Sequence, residues 1–391
     1  MTQYSIGLTD LDVATTGYVL SLDDLADYQG TDPAKYHLGL GQDCFSVPGA
    51  DEDIVTLAAT AASRLVARHP EHRITQLYFA TETGVDQSKS AGVFVHQLLG
   101  LAPNVRTVEL KQACYSATAA LQLAVGHITR FPQEQVLVIA SDIARYALDT
   151  PGEPTQGAGA VAMLVSAEPH LVALEPVTGF YTADVNDFWR PTDSSTPYVN
   201  GHLSLDAYLD ATAGAYDDAM RRAPGLDLED IDRFLHHQPF TKMARKAHRH
   251  LGQHLGVELD DALIEESMSV NRQLGNSYTA SLYFALAAQL TNNAELARKR
   301  LGFFSYGSGS VAEFFTGVVQ PRYTEHLDYL EHLQADLNAR KTLSVEQYRQ
   351  LHHSHRLDSD NYTTPTDTAT GFRFAGVTDH VRQYETGLLP S

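Results

Sequence analysis

The sequence predicts an α/β fold, and three observations support this. Helical and strand patterns alternate along most of its 391 residues. The strand segments are short apolar runs bounded by turn residues, which is typical of buried strands. The two halves of the chain show a similar order of elements, which suggests a duplicated unit, although no residue-level repeat is obvious. We therefore expect mostly parallel, buried sheets covered by helices.

The first half contains predicted helices and strands in alternation. Apolar residues at helical spacing indicate the first helix, small residues fill the third, and a Gly/Pro-rich loop precedes the last strand. The predicted helices are Asp53–Arg68, Ala91–Leu99 and Tyr115–Thr129, and the predicted strands are Ile74–Ala80, Val105–Leu110, Gln135–Ala140 and Gly157–Val165.

The second half repeats this order and ends in a more polar region. Its predicted helices are Leu205–Arg222, Thr241–Leu255 and Tyr278–Leu290, and its strands are Ile231–Leu235, Leu301–Ser305 and Val311–Val319. After Tyr323 we predict a helical pair, His326–Arg340 and Ser344–His353, and a closing strand, Phe372–Val377. We expect this last region to belong to the same fold.

Composition excludes several classes of protein. The chain carries 28 basic and 48 acidic residues, a net charge of −20, which argues against nucleic acid or an anionic membrane as the main partner. Apolar runs fall short of a membrane span, and no secretory signal is visible at the N-terminus. Two cysteines cannot build a disulfide framework, so we expect a soluble cytoplasmic protein.

Cys114 lies at a predicted strand-to-helix junction. A buried structural cysteine is the simpler interpretation, since buried free thiols are common. A helix N-terminus, however, favours the thiolate, and the small residues that follow would let this helix pack deeply. Cys44 has no comparable setting, and we interpret it as structural.

Two further segments make a reactive Cys114 more attractive. Glu82 follows a predicted strand in a polar loop, where it is either a general base or a solvated helix-capping acid. His237 closes another strand, where it is either structural or directed between layers. Together the three residues suit carbon–carbon bond formation on a thioester: the cysteine carries an acyl group, the acid removes an α-proton, and the histidine donates to a carbonyl.

Eight motifs carry a family resemblance and occur in family order over nearly the whole chain. They are Ala80–Lys89, Ala113–Thr118, Ser141–Tyr146, Gly152–Val161, Asp187–Pro191, His237–Met243, Gly275–Thr279 and Phe304–Ser310. With these motifs the sequence resembles bacterial 3-hydroxy-3-methylglutaryl-CoA (HMG-CoA) synthases of the thiolase superfamily. The resemblance implies a five-layered αβαβα fold made of two duplicated halves, residues 1–168 and 169–391 with a helical insertion at about 323–356, and a homodimer.

The resemblance also implies residue roles. Cys114 would take the acetyl group from acetyl-CoA, Glu82 would deprotonate the acetyl methyl, and His237 would polarise and protonate the 3-keto group of acetoacetyl-CoA. Hydrolysis would then release HMG-CoA for the mevalonate route to isoprenoids. Backbone N–H groups near Cys114 and Ser308 would stabilise the oxyanion. The implied acyl-site and substrate-binding residues are Tyr146, Thr155, Asn276 and Ser308.

Other constellations are weaker. Lys242, Arg245 and Lys246 form a local positive patch that would suit coenzyme A phosphates or simply be a solvated helix face. The GSGSVA segment at 307–312 matches a dinucleotide fingerprint, but a strand follows it where a helix is required, so we reject nicotinamide binding. We expect no metal and no cofactor besides the coenzyme A substrates. The histidines of the predicted C-terminal helix are interpreted as an exposed polar face: His352, His353 and His355.

The sequence departs from the family at three positions. Ser116 stands where glycine is common, Asn186 where tyrosine is frequent, and Gln112 where glutamate is often found. None of these removes a catalytic group.

Three alternatives remain open. The same chemistry could place a β-branch on a polyketide held by acyl carrier protein. A ketoacyl synthase III or a thiolase is weaker, because these relatives lack the Thr81-Glu82-Thr83-Gly84 context. A catalytically silent relative would not need to retain Cys114, Glu82 and His237.

Overall fold

A nine-stranded mixed sheet organises the protein in the computed structural model, which describes residues 5–71, 73–194, 196–292, 295–354, 360–368 and 371–387. The main sheet contains β1 (Gly7–Ala14), β4 (Ile74–Ala80), β5 (Arg106–Leu110), β6 (Gln135–Ala144), β7 (Gly157–Ser166), β8 (Val172–Thr182), β11 (Arg233–His236), β12 (Arg300–Gly307) and β13 (Val311–Val319). Smaller sheets contain β2 (Tyr18–Ser21), β3 (Cys44–Val47), β9 (Phe188–Trp189), β10 (Tyr198–Val199), β14 (Lys341–Thr342), β15 (Tyr362–Thr363), β16 (Phe372–Thr378) and β17 (Val381–Thr386).

The helices flank and separate the two parts of the main sheet. They are α1 (Leu22–Gln29), α2 (Ala34–His37), α3 (Ile54–Arg68), α4 (Ala91–Leu98), α5 (Ser116–Arg130), α6 (Gly201–Arg222), α7 (Met243–Leu255), α8 (Asn271–Leu274), α9 (Ser281–Asn292), α10 (Tyr329–Ala339) and α11 (Val345–Ser354). The helices and strands predicted from periodicity are confirmed, with boundary differences of a few residues.

The two halves of the main sheet repeat one arrangement. The strand order is β11-β12-β13-β8-β1-β7-β6-β4-β5. Reading inward, β4-β6-β7-β1 and β11-β12-β13-β8 each contain one parallel pair followed by two antiparallel pairs. The halves join where β1 pairs with β8 over two residues at each strand, Gly7 with Ala173 and Leu8 with Val172. The duplicated halves expected from the sequence are therefore visible in the topology.

The expectation of mostly parallel sheets is wrong. Only the β4–β5, β4–β6 and β11–β12 pairs of the main sheet are parallel. The strands β6 and β7 are joined by an irregular segment without a crossover helix, and β12 and β13 by three residues. The β12–β13 connection is too short for the long crossover that parallel neighbours need, so this pair is antiparallel. The β6–β7 connection, residues 145–156, returns without a crossover helix.

Five layers follow from the burial pattern. The central layer consists of α5 and α9, whose buried side chains share one core with strands of both halves. On the outer face of the first half, α3 and α4 cover β4, β6 and β7. On the outer face of the second half, α6 and α7 cover β11, β12 and β13. Alanines at 117, 120 and 124 let α5 pack closely inside the molecule, as its small residues predicted.

Strand β1 was not predicted from the sequence, because acids interrupt its apolar pattern. Asp10 and Asp12 are buried in this strand. Arg68, at the end of α3, donates to Asp10 at 2.9 Å and to Asp12 at 2.6 Å. A buried charge requires such a partner, and the partner lies more than fifty residues away in the chain.

The C-terminal region differs in part from its prediction. The single closing strand is instead a hairpin, β16–β17, in a separate three-stranded sheet with β15. Strand β17 is mostly exposed, so it lacks the apolar pattern that would have identified it. Its Arg382 and Tyr384 both donate to Asp53, the residue that caps α3. Across the described residues, no helix is both long and apolar enough to cross a membrane.

Candidate active site

Cys114 lies in a tight loop between β5 and α5. Ala113, directly before it, has a φ of 45°, a left-handed conformation that is unusual for a residue with a Cβ. The Ser116 hydroxyl closes this loop, because it accepts from the Gln112 N–H and donates to the Ala113 carbonyl at 2.8 Å. The departure from glycine at position 116 therefore has a structural function here: it holds the turn that presents the thiol.

Glu82 faces Cys114 from the loop that follows β4. The Cys114 Sγ donates to the Glu82 Oε1 at 3.5 Å, an ordinary distance for sulfur. Two residues that were far apart in sequence, each following a strand of the same sheet, thus form a hydrogen-bonded pair.

Asp142 fixes the Glu82 loop. This fully buried carboxylate lies in β6. Its Oδ1 accepts from the Glu82 N–H at 3.0 Å and from the hydroxyls of Thr81 and Thr83 at 2.7 Å each. Its Oδ2 accepts from the hydroxyl of Thr279 at 2.5 Å. One carboxylate therefore positions the acid loop of the first half and the 276–279 segment of the second.

Three aromatic rings surround the thiol. Tyr146, Phe188 and Tyr278 meet edge to face, with centroids 5.9 to 6.4 Å apart, and Cys114 packs against this cluster. The Asn276 side chain donates from Nδ2 to the Tyr146 hydroxyl at 3.5 Å and accepts the Tyr278 N–H at Oδ1. Tyr146 and Asn276, both predicted to line the acyl site, thus touch one another beside Cys114.

The loop containing Ser308 packs directly on the Cys114 loop. A Cβ at Gly307 would lie 2.5 Å from the Gln112 carbonyl oxygen, so only glycine allows this approach. The Gln112 side chain donates from Nε2 to the Ser308 carbonyl at 3.3 Å. A glutamate at position 112 could not make this bond when ionised. Asp187 supports the Ser308 loop from the other side, because it accepts from Gly309 N–H at 2.9 Å.

His237 follows β11 and is buried. Its backbone carbonyl accepts from the Tyr208 hydroxyl at 2.7 Å. The Tyr208 ring in turn packs against Tyr306, whose hydroxyl donates to Asp187 at 2.8 Å. Among the described residues, no side chain forms a hydrogen bond with the His237 ring, which leaves its nitrogens available to a ligand.

Burial dominates the electrostatics of the site. It raises the pKa of Glu82 to about 8, and the negative charge of Asp142 contributes. It also raises the pKa of Cys114 well above its usual range, with further contributions from the charges of Glu82 and Asp142. The expectation that the helix N-terminus would favour the thiolate is therefore wrong, because desolvation and the two acids outweigh it. Burial alone lowers the pKa of His237 to about 3, so its ring is neutral at pH 7.

The remaining predicted binding residues have different surroundings. Thr155 is engaged within its own turn, because its hydroxyl donates to the Gly152 carbonyl and its carbonyl accepts the Asn276 N–H. Lys242 donates to the Leu38 carbonyl at 2.7 Å, and Arg245 pairs with Glu265. Lys246 is exposed and lies over the Phe240 ring, and no anionic partner is found for it among the described residues.

The histidines of α11 do not form a uniformly exposed face. His353 is exposed as expected, but His352 is half-buried and hydrogen-bonds to the Tyr146 carbonyl at 2.8 Å. His355 lies outside the described residues. Asn186 is exposed. The described residues contain no group of three or more histidine, cysteine or carboxylate side chains that could hold a metal ion.

Sequence analysis missed several residues that build the site: Asp142, Asp187, Phe188, Tyr208 and Tyr278. Most of them lie within motifs that had been singled out, but their partners were not evident. A signal existed for Asp142, since an acid in the otherwise apolar strand β6 must find buried donors. For Tyr208, on the long helix α6, periodicity indicates burial and nothing more.

The Glu82–Cys114 pair predicts how the thiol titrates. Removing the Glu82 charge by Glu82→Gln should lower the pKa of Cys114, because a neighbouring carboxylate disfavours the thiolate. Since the thiolate is the nucleophile, alkylation of Cys114 by iodoacetamide at pH 8 should become faster, about tenfold for each pKa unit. Peptide mass spectrometry measures this rate, and Cys44 in the same sample is the control. A rate at Cys114 that is unchanged or slower would contradict the electrostatic assignment.

The chain matches two family models over nearly its whole length. The model described as hydroxymethylglutaryl-coenzyme A synthase N terminal matches residues 3–170, and the corresponding C-terminal model matches residues 172–253 and 253–373. A curated relative, the hydroxymethylglutaryl-CoA synthase of Enterococcus faecalis, is 41 % identical over 97 % of this chain and 99 % of its own length. The polyketide biosynthesis 3-hydroxy-3-methylglutaryl-ACP synthase PksG of Bacillus subtilis is 33 % identical, covering 89 % and 88 %.

Solved structures of both kinds share the fold. A structure described as MvaS in complex with 3-hydroxy-3-methylglutaryl coenzyme A has a TM-score of 0.91 and 38 % identity, with 99 % of this chain and 100 % of that chain covered. The curacin biosynthetic pathway HMG synthase in complex with holo donor-ACP has a TM-score of 0.92 and 32 % identity, with 98 % and 100 % covered. With its thiolase-like fold, this chain belongs to the hydroxymethylglutaryl-CoA synthase family.

Proposed function

We propose that the enzyme condenses acetyl-CoA with acetoacetyl-CoA through an acetylated Cys114 and hydrolyses the resulting enzyme thioester to give HMG-CoA and CoA. The observation that carries this proposal is the Cys114–Glu82 hydrogen bond beside a cluster of three aromatic rings. A thiol that can hold an acyl group and an acid that can move protons beside it are the minimum equipment for this acyl-condensing transferase reaction.

In the first step Cys114 attacks the acetyl-CoA thioester. The thiol is protonated at rest because burial raises its pKa, so its proton must leave as the new bond forms. The Sγ–H hydrogen bond to the Glu82 Oε1, at 3.5 Å, orients the thiol for this attack. The carbon–sulfur bond to coenzyme A breaks, and the leaving sulfur takes up the proton that the Cys114 thiol loses. The products are acetyl-Cys114 and CoA.

In the second step Glu82 removes a proton from the acetyl methyl group, and the carbanion adds to the 3-keto carbon of acetoacetyl-CoA. The new carbon–carbon bond turns the ketone into a tertiary alkoxide. His237 polarises this carbonyl and protonates the alkoxide, and the proton that Glu82 took from the methyl group replaces the one that the ring gives up. Because burial keeps the ring neutral, it first offers a single N–H hydrogen bond, and the pKa of the ring rises only as negative charge develops on the oxygen.

In the last step water attacks the thioester that still joins the product to Cys114. The carbon–sulfur bond breaks, the carboxylate of HMG-CoA forms, and the cysteine regains its proton. We assign the oxyanion of each tetrahedral intermediate to backbone N–H groups of Cys114 and Ser308, whose loops are in contact at Gly307. Loss of one such donor typically lowers the rate by about 10²–10³.

Intact-protein mass after incubation with acetyl-CoA tests the covalent step, and addition of acetoacetyl-CoA tests the condensation. We expect one acetyl group on the wild type, lost with release of HMG-CoA. Cys114→Ala should take no acetyl group, whereas Cys44→Ala, the matched control, should be labelled normally. Glu82→Ala should be acetylated but fail to condense. His237→Ala should impair the use of acetoacetyl-CoA more than acetylation.

The outcomes separate the candidates. Normal turnover by Glu82→Ala would remove the general-base assignment, and a His237→Ala variant that only slows acetylation would require another role for the histidine. Acetylation that persists until an acetoacetyl carrier protein is supplied would favour the polyketide β-branching reaction, the second candidate, which PksG and the curacin synthase represent. Absence of any acetylation in the wild type would sink the proposed function.

The basic side chains at the start of α7, Lys242, Arg245 and Lys246, are proposed to bind the phosphates of coenzyme A. Lys242 and Arg245 already have partners, so the exposed Lys246 is the one most readily offered to a phosphate. We propose no cofactor for the reaction besides its coenzyme A substrates. We place the product in the mevalonate route to isoprenoids.

Lys246→Ala should raise the KM for acetyl-CoA about tenfold, the equivalent of one charge-assisted hydrogen bond of ~1.4 kcal/mol. Steady-state kinetics measures this, and acetyl-pantetheine, which lacks the nucleotide phosphates, should show no change. Arg249→Ala on the same helix is the control, because Arg249 is paired with Asp261. An equal rise of KM in both variants would assign the effect to general surface charge.

We further propose two halves with a boundary near residue 168, a cytoplasmic location and a homodimer. The boundary falls between β7, which ends at Ser166, and β8, which begins at Val172. Two unpaired cysteines suit a reducing compartment. The dimer is supported by β5, an edge strand of the main sheet with Val108 43 % exposed, since an edge strand invites pairing with another chain.

Sedimentation equilibrium should give twice the 42.9 kDa chain mass. Val108→Lys, which places a charge on the β5 edge, should shift the protein toward the monomer. Val381→Lys is the matched control, because Val381 is 55 % exposed on β17, outside the main sheet. A wild type that sediments as a monomer would overturn the dimer, and a dimer unaffected by Val108→Lys would move the interface elsewhere.

A further inference from the structure

Two side chains of helix α11 are linked to the backbone of the acyl-site residue Tyr146, one directly to its carbonyl and one through Gln156 to its N–H. The Tyr146 carbonyl accepts from Nε2 of His352 at 2.8 Å. The Tyr146 N–H donates to Oε1 of Gln156 at 2.9 Å. The Gln156 amide nitrogen donates to the Tyr348 hydroxyl at 2.5 Å. Because Tyr348 and His352 are four residues apart, they lie on one face of α11, from which His352 bonds to Tyr146 directly and Tyr348 acts through Gln156.

The protonation state of His352 follows from its partners. A carbonyl oxygen only accepts, so Nε2 must carry the proton. Nδ1 then accepts, and the guanidinium of Arg145 lies 3.4 Å from it. Arg145 also donates to the backbone carbonyl of His352 at the end of the helix. Burial and the Arg145 charge lower the pKa of His352 to about 4, so this neutral tautomer holds at pH 7.

Tyr348 is itself held by a buried hydrogen-bond network. The Tyr348 hydroxyl donates to Oε1 of Glu153 at 3.0 Å. The opposite oxygen of Glu153 accepts from Asp149 N–H at 2.7 Å and from the amide of Gln29 at 2.9 Å. The fully buried Glu153 therefore fixes Tyr348, and through it Gln156.

The Tyr146 ring cannot retreat while these bonds hold. On one side it meets Phe188 and Tyr278 beside Cys114. On the other side Gly152 lies so close that a Cβ there would be 3.2 Å from two ring atoms. The ring is thus held between its aromatic neighbours beside Cys114 and the 152–156 turn, and its backbone is hydrogen-bonded to α11.

We propose that His352 and Tyr348 are positioning residues that limit the size of the acyl group accepted at Cys114, acting through the backbone of Tyr146. This rests on the proposed function, since it presumes that Cys114 is acylated. An apolar pocket distinguishes substrates that differ by one methylene by about 10- to 200-fold, provided its wall stays in place. Loss of the hydrogen bonds to the Tyr146 backbone should lower the preference for the smaller acyl group and should not abolish acylation.

Competition between equal concentrations of acetyl-CoA and propionyl-CoA, read as the ratio of acetyl to propionyl protein by intact mass, tests the proposal. His352→Leu should lower the ratio about fivefold to tenfold, the effect of losing one buried hydrogen bond. His352→Gln, whose amide can still donate to the carbonyl, should restore most of it. His353→Leu is the matched control, because His353 is exposed and its ring hydrogen-bonds to the Arg349 carbonyl of its own helix.

A wild-type ratio in His352→Leu would overturn the proposal, as would an equal change in His353→Leu. If His352→Leu does not fold, as judged by thermal melting, Tyr348→Phe decides. Its lost hydroxyl bonds should lower the ratio in the same direction, and an unchanged ratio would again overturn the proposal. A wild type that takes no acetyl group contradicts the proposed function instead, so the two failures are distinguishable.

Discussion

The buried carboxylate of Asp142 is the constraint on which the rest of the site depends. It accepts six hydrogen bonds, four on Oδ1 from residues 81–83 and two on Oδ2 from Thr279. A buried carboxylate charge is stable only if it accepts hydrogen bonds from several protein donors. The position of the Glu82 loop is therefore set by the hydrogen bonds that the loop donates to Asp142. Because Thr279 follows the Asn276 segment, the same requirement aligns the second half of the molecule with the first.

The protonation states of Cys114, Glu82 and His237 follow from their burial. Burial keeps the Cys114 thiol and the His237 ring neutral, and it brings the pKa of Glu82 to about 8. A charged nucleophile and a charged histidine would each have to be solvated in the resting enzyme. Here Cys114 and His237 are neutral at rest, so charge on either group develops only during the reaction.

Periodicity and motifs predicted most helices, several strands and the acid, thiol and histidine, because each of these is a local signal. What they could not predict depends on distant partners. Strand β1 was hidden because its acids become compatible with burial only through Arg68. The sheet was misjudged as parallel because connection length was not weighed. The helix-terminus argument for Cys114 failed because burial raises the pKa of the thiol, and the charges of Glu82 and Asp142 raise it further. His352 looked like surface because its partner lies 206 residues away.

The repeated strand order has a consequence for how the active site came to be divided. In the two series β4-β6-β7-β1 and β11-β12-β13-β8, β4 corresponds to β11. Glu82 follows β4 and His237 follows β11, so the acid and the histidine occupy equivalent places in the two copies. An ancestral unit paired with itself would have carried identical groups at both. Duplication within one chain removes that symmetry requirement, so one location can carry a carboxyl group while its counterpart carries an imidazole. This difference between the two locations is available only to a fused pair.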